Sequence, residues 1–215
     1  MVLQLGFKNY NMIFLKFIKI SVLFLFFSTF SMNAQTVLLY NKSGIEKVKA
    51  NDFEGAIADF DQALKIEPKN DAIYVNRGMA KSKLKDYKGA EADYTKALKL
   101  KEDANTYYAR AAIRSELSDH KGVLEDLEKS GEDKAKQPGF YMMRAISKAM
   151  LQDEKGAIED LSKAIDLKPE SSKAYYMRAM VFVSLKFNKE GCKDLEKARL
   201  LGHPKAVDMI AQYCQ

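Results

Sequence analysis

Tryptophan is absent from this 215-residue chain, and there are only four prolines, two histidines and two cysteines. So little proline leaves long stretches free to be helical. His120 and His203 stand far apart, and neither has a second His or a Cys at metal-ligand spacing, so no zinc site is expected. The chain has no glycine-rich phosphate loop, nucleophile elbow or calcium loop. Adjacent carboxylates such as Glu125 and Asp126 diverge by about 100° on a helix and do not share a proton or a substrate. The expectation is a non-catalytic protein with no cofactor and no small-molecule substrate.

An excess of one charge is also missing. The net charge is +6, and lysines alternate with acids along the expected helix faces, the pattern of a solvated surface. Nucleic-acid binding needs a clustered basic stripe, and none is expected. Long apolar runs are scarce too. One nearly unbroken run of eleven, residues 20–30, follows Lys8, Lys16 and Lys19, the only charges among the first 34 residues. With Ser31, Met32, Asn33 and Ala34 behind it, the run reads as a secretory signal peptide over residues 1–34, cut between Ala34 and Gln35. Removing it takes three lysines and no acid, which leaves +3 for residues 35–215. Eleven residues are too few to span roughly 30 Å of hydrocarbon. Extension through Ile13 to Ile18, with Lys16 and Lys19 snorkelling, would instead make an uncleaved membrane anchor. The reading is an exported protein, periplasmic or secreted, with anchoring by that segment as the alternative.

What the chain does have is repetition. Tyr74, Tyr107, Tyr141 and Tyr175 recur at intervals of 33, 34 and 34, and Arg77, Arg110, Arg144 and Arg178 follow three residues behind. Asp59, Asp93, Asp126, Asp160 and Asp194 keep the same period, each followed by an aromatic or leucine. Ala63, Ala97, Ser130, Ala164 and Ala198 make a further row of small residues. A shared period of this length is the mark of a solenoid. Within one unit, Ala72 to Leu84 and Gly89 to Leu100 have helical periodicity and flank the polar turn Lys85-Asp86-Tyr87-Lys88. Gly78 and Ala90 lie at similar heights on either side of that turn and let the two helices approach closely.

These residues resemble the tetratricopeptide-repeat family: an aromatic, a small residue four on, then Ala, an aromatic or leucine, Ala and often Pro. In the first unit the match runs through Tyr40, Gly44, Ala56, Phe60, Ala63 and Pro68. The resemblance implies an all-α, right-handed solenoid of about five helix pairs, eleven helices in all. The units are about 37–70, 71–103, 104–137, 138–171 and 172–203, with a capping helix at about 204–214. In the cap, Val207, Ile210, Ala211 and Cys214 form the apolar stripe while Lys205, Asp208 and Gln212 face away. The third unit departs from the pattern: Gly131 and Asp133 stand where the others end a helix on two apolar residues. A stop near Lys129 and a mobile polar loop to Gln137 are expected there.

Two further pairings are expected. Each arginine sits 16 residues before the aspartate of its own unit and 17 or 18 after that of the preceding one. Ser43 replaces the arginine in the first unit, which has no predecessor, and this favours structural ion pairs of Arg77, Arg110, Arg144 and Arg178 with Asp59, Asp93, Asp126 and Asp160. Cys192 and Cys214 are equidistant from residue 203 and so lie level on antiparallel helices. They are either bridged, as an exported protein allows, or packed as two thiols.

The resemblance also implies that first helices line a concave groove for a protein or peptide partner. The groove residues carried over are Asn41, Asn76, Met79, Tyr108, Met142, Ile146, Tyr176 and Met180, with Tyr108 and Tyr176 the most open. The expected function is an exported interaction scaffold; the alternatives are a self-associating structural subunit or an accessory subunit of an envelope enzyme or transporter.

Overall fold

The structure is a computed structural model that describes residues 32–214, except for the side chains of Glu132 and Asp133. Most of the expected signal segment therefore lies outside the described residues; its last three residues, 32–34, are exposed and open the first helix. Every regular element among the described residues is a helix. These are α1 (32–49), α2 (Phe53–Ile66), α3 (Asp71–Lys83), α4 (Tyr87–Leu100), α5 (Ala104–Glu116), α6 (His120–Ser130), α7 (Glu132–Ala135), α8 (Pro138–Met150), α9 (Glu154–Leu167), α10 (Ser172–Ser184), α11 (Asn188–Leu200) and α12 (Ala206–Tyr213). Eleven of them are the expected pairs and cap; the four-residue α7 is an addition. The described residues divide into two compact units, one ending at Arg77 and the other beginning at Gly78.

The turns inside the pairs share one backbone. Asn51, Lys85, Ser118, Gln152 and Lys186 each adopt a left-handed φ between 60° and 65°, although none is glycine. The N–H of each donates to the carbonyl three residues back. The next N–H reaches five back, from Asp52 to Lys47, Asp86 to Lys81, Asp119 to Arg114, Asp153 to Lys148 and Phe187 to Phe182. This pair of hydrogen bonds satisfies the last carbonyls of the first helix and offsets the left-handed backbone, which costs about 1 kcal/mol or more. The second helix then starts on Asp52, Asp86, Asp119 or Asp153, whose carboxylate accepts from the N–H of Gly55, Gly89, Gly122 or Gly156. The other carboxylate oxygen occupies the space a Cβ on that glycine would need, so Asp and Gly go together.

Small residues set the spacing between helices. Ala56, Ala90, Val123 and Ala157 are buried, followed four residues on by Phe60, Tyr94, Leu127 and Leu161 and then by the alanine-or-serine row; none of these is more than 4% exposed. In the first unit the Phe60 ring fills the place of a Cβ on Gly44. In the second, Gly78 lies against the Tyr94 ring and the Ala90 carbonyl. There α4 packs on α5, α6 on α8, α9 on α10 and α11 on α12, so each second helix also touches the next first helix. A fully buried leucine such as Leu127 or Leu161 contributes roughly 1.5–3 kcal/mol.

The expected loop from Ser130 to Gln137 is corrected in part. Gly131, at φ 75°, ends α6, but α7 follows at once. Ala135 packs on the cluster of Ala111, Val123, Leu127 and Phe140, and this contact replaces part of the missing apolar pair. Ser130 keeps the small-residue place, fully buried, with its hydroxyl donating to the Leu127 carbonyl.

Candidate interaction surface

The charged rows are spent on the framework. Arg110 grips Asp126 with two parallel bonds, Nε–Oδ2 2.9 Å and Nη2–Oδ1 2.7 Å. Arg144 does the same to Asp160 at 2.8 and 2.6 Å, and Arg178 to Asp194 at 2.7 and 2.9 Å. In the first unit Ser43, in the arginine place, donates to Asp59 at 2.6 Å. The aspartate gripped is thus the one 16 residues ahead, in the same repeat. This corrects the expectation of a partner in the preceding repeat. The flat fork matches a carboxylate edge-on, and the spare Nη1 is what reaches backwards. It meets Asp61 from Arg77 (2.6 Å), Thr95 from Arg110 (2.9 Å) and Ser162 from Arg178 (2.8 Å), each two residues beyond the acid expected. The guanidinium carbons of Arg77, Arg110, Arg144 and Arg178 also lie 5.2–5.8 Å from the ring centres of Tyr74, Tyr107, Tyr141 and Tyr175. That contact explains why the two rows share a period.

A second basic row escaped the sequence reading. Lys47, Lys81, Arg114 and Lys148 lie one turn beyond the arginine row and reach Asp59 (2.7 Å), Asp93 (2.8 Å), Asp126 (3.2 Å) and Asp160 (2.9 Å). Its signal was the same 33–34 residue period. Burial alone would push the Asp160 carboxyl up, but bonds from Arg144 and Lys148 outweigh it and hold the group below its ordinary range. Burial, with Asp93 adding to it, pushes the Tyr94 phenol up to about 12.

The residues carried over to the groove fall into three sets. In the first unit Asn76 donates to Asn41 at 3.0 Å, and both are half-buried. In the second unit Met142 is half-buried and packs on Ala145, Ala157 and Leu161. Tyr108 and Tyr176, expected open, are half-buried instead. Tyr108 packs on the Ala111 cluster with the Lys134 ammonium 5.7 Å from its ring centre. Tyr176 stacks on His203, ring centres 4.0 Å apart and planes within 13°. The residues left open are Met79 and Ile146, each 38% exposed, with Met150 at 64%; Met180 is half-buried.

At the end of the second unit Cys192 and Cys214 are joined by a disulfide, their Cα atoms 5.6 Å apart. The inward face of α12 is shifted from the one expected. Ala206 is buried and Met209, Ile210 and Tyr213 are half-buried, while Val207 and Ala211 are exposed. Ala206 is fully buried and Cys214 is tied to Cys192 on α11, and with these two held Val207 faces outward. Burial, then Lys205 and Lys173, lowers the His203 pKa. Among the described residues no group of His, Cys, Asp or Glu could hold a metal ion, and no helix is long and apolar enough to cross a membrane.

Residues 44–85 match a TPR repeat family and residues 72–103 a tetratricopeptide repeat family; this part of the chain consists of tetratricopeptide repeats. No curated protein matches the chain by sequence. Solved structures are similar over most of its length. The crystal structure of MamA protein aligns with a TM-score of 0.73 at 21% identity, over 80% of this chain and 95% of that one. YrrB, described as a TPR protein with an unusual peptide-binding site, aligns with a TM-score of 0.73 at 19% identity, over 79% and 89%. MamA 41-end from Desulfovibrio magneticus RS-1 gives 0.74 at 21% identity, over 77% and 94%. The likeness establishes the fold, an all-α tetratricopeptide solenoid.

Proposed function

We propose that the protein is a non-catalytic interaction scaffold, exported, that binds a partner peptide or helix along its first helices. The observation that carries this reading is a division of labour. The aspartate of each repeat is held by one or two basic residues of its own first helix, while Met79, Ile146 and Met150 are left exposed and uncharged on first helices. Flexible thioethers and a branched aliphatic suit contact with apolar side chains of a partner. The tetratricopeptide repeats, and a neighbour of the same fold described as peptide-binding, support a peptide or protein ligand over other classes. Export rests on the N-terminal apolar run.

The test is selection from a displayed peptide library against residues 35–215. Selected peptides should be apolar, and Ile146→Asp with Met150→Asp should abolish binding while leaving the melting temperature in place, since exposed substitutions change stability by about 0.5 kcal/mol or less. A library that yields no binder overturns the groove reading. Light scattering that shows a dimer, dispersed by the same two substitutions, would move the function to self-association. Intact mass of the exported protein checks the Ala34–Gln35 cut; retention of residues 1–34 would favour the anchor.

A further inference from the structure

The outer face of α11 has no role in the fold or in the groove. Its inner face buries Gly191, Asp194, Leu195 and Ala198. On the opposite side Lys189, Lys193 and Lys197 stand at i, i+4 and i+8, all exposed, with Leu200 67% exposed beside them. Positions four apart lie on one face about 6 Å from each other. None of the three lysines has an ion-pair partner among the described residues.

The preceding repeats treat the same places differently. The row reads Lys121, Glu125, Lys129 on α6 and Lys155, Glu159, Lys163 on α9, where the central glutamate sits between two lysines. Lys193 reverses that charge, and like charges one turn apart work against a helix. The cap changes in the same sense, because Phe187, 54% exposed, replaces the capping aspartate of the other four repeats. Counting the capping residue, α11 is the one second helix with more bases than acids. Over the whole of α11 bases outnumber acids, and the exposed Phe187 stands where the other repeats have a capping aspartate, a loss that weakens the helix. With no ion-pair partner for the three lysines among the described residues, the stripe points to an anionic surface outside the fold that meets it.

We propose that this face of α11 docks an acidic amphipathic helix of a partner protein. Its carboxylates, one turn apart, would meet Lys189, Lys193 and Lys197, and an apolar side chain would cover Leu200. The width of the stripe selects the partner. Glu190 and Glu196 border the lysines, the latter paired to Arg199 at 2.5 Å. A flat anionic bilayer would press against both acids, whereas a single helix laid along the stripe sets its carboxylates on the ammonium groups and its apolar side chain on Leu200, beside the Glu196 that Arg199 already holds. The site is separate from the groove on the first helices and does not depend on it.

The probe is a synthetic helical peptide with glutamate at every fourth position and leucine beside it, labelled and titrated by fluorescence anisotropy into residues 35–215. Saturable binding that weakens as salt is raised is expected. K193E restores the Lys-Glu-Lys row of α9. It should weaken binding by about tenfold or more while melting no lower than the parent protein. Lys197→Gln, which adds no charge, should weaken it by a smaller factor. Ile146→Asp should leave this binding unchanged, which separates failure here from failure of the groove. Unaltered binding to K193E overturns the proposal, as does no saturation below about 1 mM. Tighter binding of anionic phospholipid vesicles or of a single-stranded oligonucleotide than of the peptide also overturns it.

Discussion

In the fourth repeat Asp160 is held by two cations, Arg144 and Lys148, and α9 begins on Asp153, which accepts from Gly156. In the fifth, Asp194 is gripped by Arg178, Phe182 stands in the lysine place, and α11 begins on Phe187 with no side-chain cap. The turns are nevertheless the same: φ is 65° at Gln152 and 63° at Lys186, and the five-residue backbone bond measures 2.8 Å in one and 2.9 Å in the other. The shape of the hairpin therefore belongs to the backbone bonds and to the small residues between the helices. Cap and second cation add stability without setting geometry, so the fifth repeat has lost both and still folds alike. It has also gained a covalent link, Cys192 to Cys214.

The largest expected difference is at the aspartates. Asp160→Ala leaves two partly buried cations facing no anion and should lose about 2–4 kcal/mol in urea unfolding, while Asp194→Ala, which strands one, should lose about 1–3 kcal/mol. Equal losses would mean that Lys148 contributes nothing. A double-mutant cycle on Arg110 and Asp126 should show coupling of about 1 kcal/mol or more, and additivity would remove the grip from the account. Next comes the bridge. Cys192→Ser should cost about 3 kcal/mol in the chain-entropy account. Amide exchange should speed up at Ile210 on α12 and hardly at all at Ala164; matched acceleration at both would show that the cap is not a local addition.

Acid sharpens the same contrast. The Asp160 carboxyl is depressed in the folded state relative to its ordinary 3.8. Its contribution is therefore complete above that value and is lost as pH falls through the lower folded one. Stability should drop below about pH 4, and Asp160→Asn should flatten that part of the profile. An unchanged profile would take Asp160 out of acid unfolding. The smallest effect is at the cap. Phe187→Asp should gain about 0.5–1 kcal/mol, and more when Glu190→Gly clears space for the carboxylate as glycine does in the other repeats. No gain in either background would show that the cap is worthless at this turn.

Particular residues explain what could be read in advance. The Tyr, Arg, Asp and small-residue rows were legible because each repeat solves one packing problem in one way, and a solution used several times becomes a period. The direction of the arginine grip was not legible. Acids 16 ahead and 18 behind lie at nearly the same height, and only side-chain direction distinguishes them. Tyr108 and Tyr176 looked open because the family resemblance places them on the groove side of a first helix. Neighbours distant in sequence, Lys134 and His203, occupy that space. The run of like charge on α11 was hidden by averaging over helices whose lysines do alternate with acids.

By itself the sequence determined the helix-pair repeat, the turn positions, the rows of small and apolar residues and the level placement of Cys192 and Cys214. All of these follow from local periodicity and from the fixed rise of a helix. Tertiary structure decided which aspartate each arginine holds, that α7 forms where a loop was expected, which groove residues stay open and which way α12 presents Val207. Those outcomes depend on how side chains from separate helices compete for the same volume and the same hydrogen bonds, and no single helix carries that information.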